Sequence, residues 1–248
     1  MTTERTELEW VYEPSDLFEA EYRSADSLYD LLVRDGRAVA TLKVPQNPVN
    51  ERLVKRIGED VEAILQVRQL RKHRPYTLSA PRIHQHGARG GTVITINVGD
   101  EVISEGQADV LIRDQAGNIV GDSKATRIAD DTAMIDSLAP KVARSPLLRG
   151  MLSSYSRSID DPATELVRLY EVRDALQAHY HGEQHARAAL AISESEWKRL
   201  GILANVEPIE QGRHRGQHVA GRRDATASEL EEARSIVQRW IAAVANVV

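Results

Sequence analysis

No cysteine occurs in the 248 residues, which removes disulfides, thiolate-bound zinc, iron–sulfur clusters and a thiol nucleophile together. A reducing compartment fits that composition. Aromatic side chains make up only 4% of the chain, with a single Phe. The core must therefore be mostly Leu, Ile, Val and Ala, and a stacking platform for nucleobases is disfavoured. No run approaches the roughly eighteen uninterrupted apolar residues of a membrane span. The opening Met1-Thr2-Thr3-Glu4-Arg5-Thr6-Glu7 is polar and acidic, with no apolar signal-peptide region behind it, so the expectation is a cytoplasmic protein without membrane contact. Glycine-rich P-loop and dinucleotide fingerprints, the Gly-x-Ser-x-Gly elbow and the HExxH zinc pattern are all missing.

What remains is ordinary in bulk. Apolar residues at 42% and charged residues at 28% are globular values. Net charge is −5, so any nucleic-acid contact has to come from a local basic patch, not from the field of the whole molecule. Arginine outnumbers lysine by 26 to 6. That bias suits planar, bidentate recognition of phosphate or carboxylate, and a GC-rich genome would produce it as well.

Local signals predict an α+β fold: an N-terminal antiparallel sheet with helices, followed by an all-helical domain. Ser27–Arg34 and Arg37–Val44 read as strands around Asp35-Gly36, a dipeptide suited to the positive φ angles of a tight hairpin. From Asn50, Leu53, Val54, Ile57, Val61, Ile64 and Leu65 recur at helical spacing and predict a helix of about twenty residues ending before Pro75. Thr92–Val98 alternates as a strand, and Ala108–Arg113 with Asn118–Asp122 flank a hairpin turn at Asp114–Gly117. Because hairpins join the strands, the sheet should be antiparallel. Beyond Ile128 the period becomes 3.6, with Pro140 and Pro146 expected to cut the segment into short helices. Asp161-Pro162 reads as a helix start and Gly182 as a helix end. Ser193/Glu196 and Thr226/Glu229 have capping-box spacing, and no sheet is expected after about residue 160. The division is placed so that residues 1–155 form the α+β domain and residues 156–248 the helical one.

The segment with the clearest chemistry is 211–223, Gln-Gly-Arg-His-Arg-Gly-Gln-His-Val-Ala-Gly-Arg-Arg, which holds four Arg, two His and three Gly without an acid. Glycines let backbone amides approach an anion, and guanidinium forks match phosphate, so its arginines are expected to point outward. The plainer alternative is a solvated loop whose arginines pair with Glu207, Glu210 or Asp224. Within it, Arg213 and His218 are separated by four residues, with polar His214 directly after the arginine. This spacing resembles the signature of the HEPN ribonucleases, helical-bundle proteins. The resemblance covers residues 156–248 at most and implies metal-independent RNA cleavage without a cofactor. In such a cut the ribose 2′-hydroxyl attacks the adjacent phosphate, the His moves a proton and the Arg steadies the developing charge. It also implies that two protomers build one composite site. Arg213 and His218 are then the catalytic pair, with His214, Arg215, Arg222 and Arg223 as substrate-binding residues and RNA or another phosphate-bearing molecule as ligand.

Two other Arg/His pairs share the permitted spacing. Arg68 and His73 lie toward the end of an N-terminal helix, outside the helical domain. Arg173 and His179 lie on one helix, where a six-residue step leaves the side chains about 120° apart; a core arginine with a salt-bridge partner is the expected role of Arg173. A separate stretch, residues 185–200, resembles a DNA-binding helix-turn-helix with Leu190, Ile192 and Trp197 in apolar places. Arg187 stands where that motif wants a small residue, however, and Glu194 and Glu196 would face phosphates. An αα-corner in a bundle is the expected reading. The histidines at 84, 86, 179, 181 and 185 invite a metal reading, and His181 and His185 are four apart, but Gly182 separates them from the preceding helix and no HExxH pattern accompanies them, so solvated imidazoles are expected. A non-enzymatic interaction protein remains the alternative to RNA binding.

Overall fold

Alternation at the start of the chain produces the central strand of the sheet. Thr6, Leu8, Trp10 and Tyr12 are buried while Glu7, Glu9 and Val11 are half-buried on the other face, the period-2 pattern of a strand covered on one side. The computed structural model describes residues 3–46, 48–87, 109–113, 118–213 and 221–248. Two compact units divide the chain: residues 1–68 with 76–136, and residues 69–75 with 137–248. The fold class is α+β, with antiparallel strands in the first unit and helices in the second.

In the first unit, β1 (Thr3–Glu13) is flanked on one side by β4 (Arg37–Leu42), β3 (Tyr29–Arg34) and β2 (Tyr22–Ala25), and on the other by β5 (Thr77–Leu78) and β6 (Arg82–Gly87). Every pairing is antiparallel, with Leu8 opposite Ala40 on one side and Ile83 on the other. The Asp35-Gly36 turn joins β3 to β4 as expected, with φ of 48° and 76° at the two positions. Sequence reasoning did not anticipate β1, β2 or β6.

Helix α1 (Glu51–Lys72) begins at Asn50, whose Oδ1 accepts from the Arg52 amide at 2.9 Å. It covers the buried face of the sheet: Trp10 lies against Gly58, and Ile57, Val61, Ile64, Leu65 and Val67 are buried. Arg68 closes this core. It is 2% exposed, donates from Nε to the Leu17 carbonyl at 2.7 Å and pairs with buried Asp131. That makes Arg68 a structural residue of the sheet unit. The second hairpin, β7 (Leu111–Arg113) with β8 (Ile119–Asp122), is antiparallel as expected. Its turn at 114–117 and the expected strand Thr92–Val98 lie outside the described residues.

Helix α2 (Ser123–Arg144) corrects one expectation: it runs through Pro140. Proline in a helix interior removes the bond to the carbonyl four residues back, here Asp136. The border between the two units falls between Asp136 and Ser137, so the missing bond sits where the chain leaves one unit for the other. Pro146 does start a new helix, α3 (Pro146–Asp160), with the Ser145 side chain accepting from the Leu148 amide.

The second unit continues, after a turn of 3₁₀ helix at Pro162–Thr164, with α4 (Glu165–His179), α5 (Glu183–Leu190) and α6 (Glu194–Gly201). A π-helical turn at Ile202–Val206 and α7 (Ala227–Val247) complete it. Among the described residues beyond 160, the β content is one isolated bridge, Ile209 with Arg223. Gly182, with φ of 136°, stands between α4 and α5. Thr226 and Glu229 form the full capping box of α7. Trp197 of α6 stacks on Trp240 of α7, with centroids 5.1 Å apart. The unit also encloses a polar cluster. His73 faces the Tyr155 hydroxyl from Nδ1 at 3.1 Å and Glu165 from Nε2 at 3.7 Å, and Arg234 holds Glu165 with two bonds of 2.5 and 2.9 Å. Among the described residues no helix is long and apolar enough to cross a membrane.

Candidate nucleic-acid interface

The basic segment leaves the bundle through a pinned neck. Ile209 is fully buried, Arg223 donates its amide to the Pro208 carbonyl at 2.9 Å, and Glu210 donates back to the Arg223 carbonyl at 2.9 Å. The Gln211 side chain bridges to Asp224 and to the Ala225 amide. Paired backbone groups at these two positions hold the stem in register.

Arg213 sits at the end of this neck and is fixed from three directions. Its amide donates to the Ala204 carbonyl, inside the π-turn, at 2.6 Å. Its Nη1 donates to Asp174 at 2.9 Å, and its guanidinium carbon lies 4.9 Å from the centre of the Tyr170 ring. Tyr170 and Asp174 are four apart on α4 and so share a helical face. At the neck the arginines are partly exposed, Arg223 most of all, and each is paired with an acid. Arg222 approaches Glu210 at 3.6 Å, and Arg223 makes two bonds to Glu229 at 2.6 and 2.7 Å. The Arg223 contact, with the Thr226 amide second, pulls the Glu229 carboxyl down to about 2, and that carboxylate in turn raises Arg223. His214, Arg215 and His218 lie outside the described residues.

Sequence reasoning missed the support around Arg213. Arg173, one turn from Tyr170, places its guanidinium 5.1 Å from the same ring and 4.9 Å from the Trp197 ring, and approaches Glu183 at 3.5 Å. It is the salt-bridged inner arginine expected at that position. Its Nε is buried without a hydrogen-bond partner among the described residues. The signal was present as Tyr170, Arg173 and Asp174 at spacings of three and four. What pointed nowhere was the partner, 39 residues away in sequence.

The helix-turn-helix-like stretch is built into the bundle. Leu190, Ile192 and Trp197 are buried, Ala191 takes a left-handed φ of 52°, and Arg187 reaches both Glu183 and Glu194. Glu196 is held by Arg239 at 2.6 Å. The face that would meet DNA therefore presents carboxylates whose cations are already engaged. His84 and His86 lie on β6 and meet Glu9 and Glu7 at 3.0 and 3.2 Å. Among the described residues no group of three potential ligands could hold a metal. A groove of about 660 Å³ opens elsewhere, in the first unit, beside Val49, Val54 and Ile83.

Comparison with protein-family models, with curated proteins and with solved structures finds no match.

Proposed function

We propose that the helical unit binds RNA through segment 211–223 and cleaves it without a metal or cofactor, as a cytoplasmic enzyme whose composite site forms in a homodimer. The observation that carries this reading is the fixation of Arg213. A guanidinium held by a carboxylate, an aromatic face and its own amide has little side-chain entropy left to lose when a phosphate arrives. Asp174 occupies only one of its amino groups by the bond described, and a guanidinium carries five donor hydrogens.

In the proposed reaction the 2′-oxygen of the ribose bonds to the adjacent phosphorus, and the bond from phosphorus to the 5′-oxygen breaks. The proton leaving the 2′-hydroxyl is taken up by a base, and a proton is delivered to the departing 5′-oxygen. His218 moves a proton in this exchange, while Arg213 stabilises the charge on the non-bridging oxygens. The products are a 2′,3′-cyclic phosphate and a 5′-hydroxyl. Arg215 and His214 contact the substrate. Arg222 and Arg223, engaged with Glu210 and Glu229, support the neck.

Incubation of the protein with a mixed RNA pool in EDTA, with mapping of the new ends, tests this directly. Cyclic-phosphate ends that vanish with His218→Ala, while RNA binding persists, are expected. RNA binding at low salt with no cleavage would reduce the reading to a binding module. No RNA binding at low salt would leave a protein-interaction role.

A further inference from the structure

On the face of the N-terminal sheet opposite its core, five of the strands each place an arginine. In spatial order these are Arg23 on β2, Arg34 on β3, Arg37 on β4, Arg5 on β1 and Arg82 on β6. The registers put all five on the side opposite the core, since Arg23 pairs with Leu32, Arg34 with Arg37, Val11 with Arg37, Arg5 with His86 and Glu9 with Arg82. Four interstrand steps of about 4.8 Å spread the five over roughly 19 Å across the strands, and Arg5, level with His86 and not with Val11, is set off from Arg34 and Arg37 by six residues, about 20 Å along them.

The same face also carries acids, and their depth decides what a partner meets. Glu9 is 13% exposed beneath Arg37 at 67%, and Glu7 is 17% exposed beneath Arg5 at 59%. Glu7 and Glu9 therefore lie at the floor with their guanidiniums above them, whereas Asp30, 62% exposed beside Lys43, and Glu21, 44% exposed, stand at the height of the arginines toward the β2–β3 side. Arg23 and Arg34 share Glu21, at 2.9 and 3.8 Å. Exposed pairs of this kind are worth about 0–1 kcal/mol, so they do not withdraw the arginines from an incoming anion. The centre of the face is Val11, Val39 and Leu32, all half-buried, and the aromatic residues Trp10, Tyr12, Tyr22 and Tyr29 point into the core. A protein partner would want a large apolar anchor at the centre of such a patch, and a base-reading surface would want an exposed ring. This face offers neither. A wide spread of guanidiniums without rings or anchors suits the phosphodiester backbone.

We propose that this face of the N-terminal sheet is an RNA-backbone binding surface, contacting phosphates through Arg5, Arg23, Arg34, Arg37 and Arg82 without base specificity. It shares its ligand with the reading given for the helical unit but rests on different residues, so the two stand or fall separately.

The test uses the full chain, a fluorescent single-stranded RNA of mixed sequence and a salt titration. Changing Arg23, Arg34, Arg37 and Arg82 together to Gln should weaken binding at least tenfold at low salt. It should also flatten the plot of log affinity against log salt by about 0.7 for each phosphate that the protein no longer neutralises. Changing the same four to Lys, which keeps the charge, should retain most of the slope and controls for folding together with a thermal melt. Affinities for two unrelated RNA sequences should agree. If the Gln variant folds and binds with unchanged slope while Arg213→Gln binds less, the sheet surface is overturned and the loop reading stands. The reverse result removes the loop and keeps the sheet. Equal competition by poly-glutamate would overturn the sheet proposal in favour of an acidic protein partner.

Discussion

A Cβ built on Gly201 would collide with the Arg173 Nη1. Alanine in place of a helical glycine ordinarily adds about 1 kcal/mol of stability. Here the sign should reverse. The guanidinium is held between the Tyr170 and Trp197 rings and near Glu183, so it has to leave those neighbours. Gly201→Ala should cost about 1–3 kcal/mol in denaturant unfolding, the range for forced repacking. In an Arg173→Ala background the same change should be neutral or stabilising. A cost that is the same in both backgrounds would show that the collision is relieved at no expense.

His73 makes the stability of the helical unit depend on pH. Gln238 donates to the Tyr155 oxygen at 2.8 Å, and of the two acceptors within reach of the phenol proton His73 Nδ1 at 3.1 Å is nearer than the Leu70 carbonyl at 3.5 Å. This network assigns the neutral tautomer with hydrogen on Nε2, facing Glu165. Burial lowers the His73 pKa first, and the Arg234 charge adds to it, against the opposing pull of Glu165. A histidine lowered in the fold binds fewer protons there than in the unfolded chain. Its contribution is therefore complete above the ordinary value of about 6.5 and drains as pH falls from there through the folded value. Chemical denaturation at several pH values between about 7.5 and 5 should show wild-type stability falling more steeply than that of His73→Gln. Parallel curves would show that His73 is protonated equally in both states.

Glu165 is 2% exposed and lies at the first turn of α4, held by Arg234. Removing the arginine strands a buried carboxylate, which typically costs about 3–5 kcal/mol. Arg234→Ala should accordingly lower the unfolding midpoint sharply. Changing both residues to Leu and Met should be less harmful than the single change, because no charge is then left buried. If the double variant is as unstable as Arg234→Ala, packing and not desolvation sets the cost.

Asp174 and Arg213 give a prediction that separates support from stability. Asp174 is 48% exposed, so the pair adds at most about 1 kcal/mol to folding. Asp174→Asn should leave the melting temperature near wild type while lowering RNA cleavage more than RNA binding, because what disappears is the orientation of Arg213. Equal losses in binding and cleavage would assign Asp174 to ground-state contact instead.

Elements marked by local chemistry were legible before the structure. The β3–β4 hairpin, α1 and the capping box at Thr226 follow from local residues, as does the N-cap at Ser193, which accepts from the Glu196 amide without the reciprocal bond of a box. The longest strand was not, although Thr6, Leu8, Trp10 and Tyr12 alternate, because acidic residues disfavoured in strands fill the intervening places. Glu7 and Glu9 are tolerated there by Thr41, Arg37, His84 and His86, none of them nearby in sequence. Pro140 misleads for a related reason: a helix packed along much of its length survives a missing bond that would end an isolated one. At the neck, the approach of Arg222 to Glu210 and of Arg223 to Glu207 was legible as one of two alternatives, whereas Glu229 as the nearer partner of Arg223 and Asp174 as the partner of Arg213 were not.

The placement of β1 bears on how the molecule comes to exist. Leu8 pairs with Ala40 and with Ile83, so the strand that emerges earlier from the ribosome than any of its partners waits for chain made much later on both sides. Contacts of such separation slow folding. At about 5–20 residues per second, the interval before Ile83 appears lasts several seconds, during which a strand with Leu8, Trp10 and Tyr12 on one face has an open edge. The alternating glutamates at positions 7 and 9 put charge on the waiting strand, the device by which an unpaired edge is discouraged from pairing with its own kind.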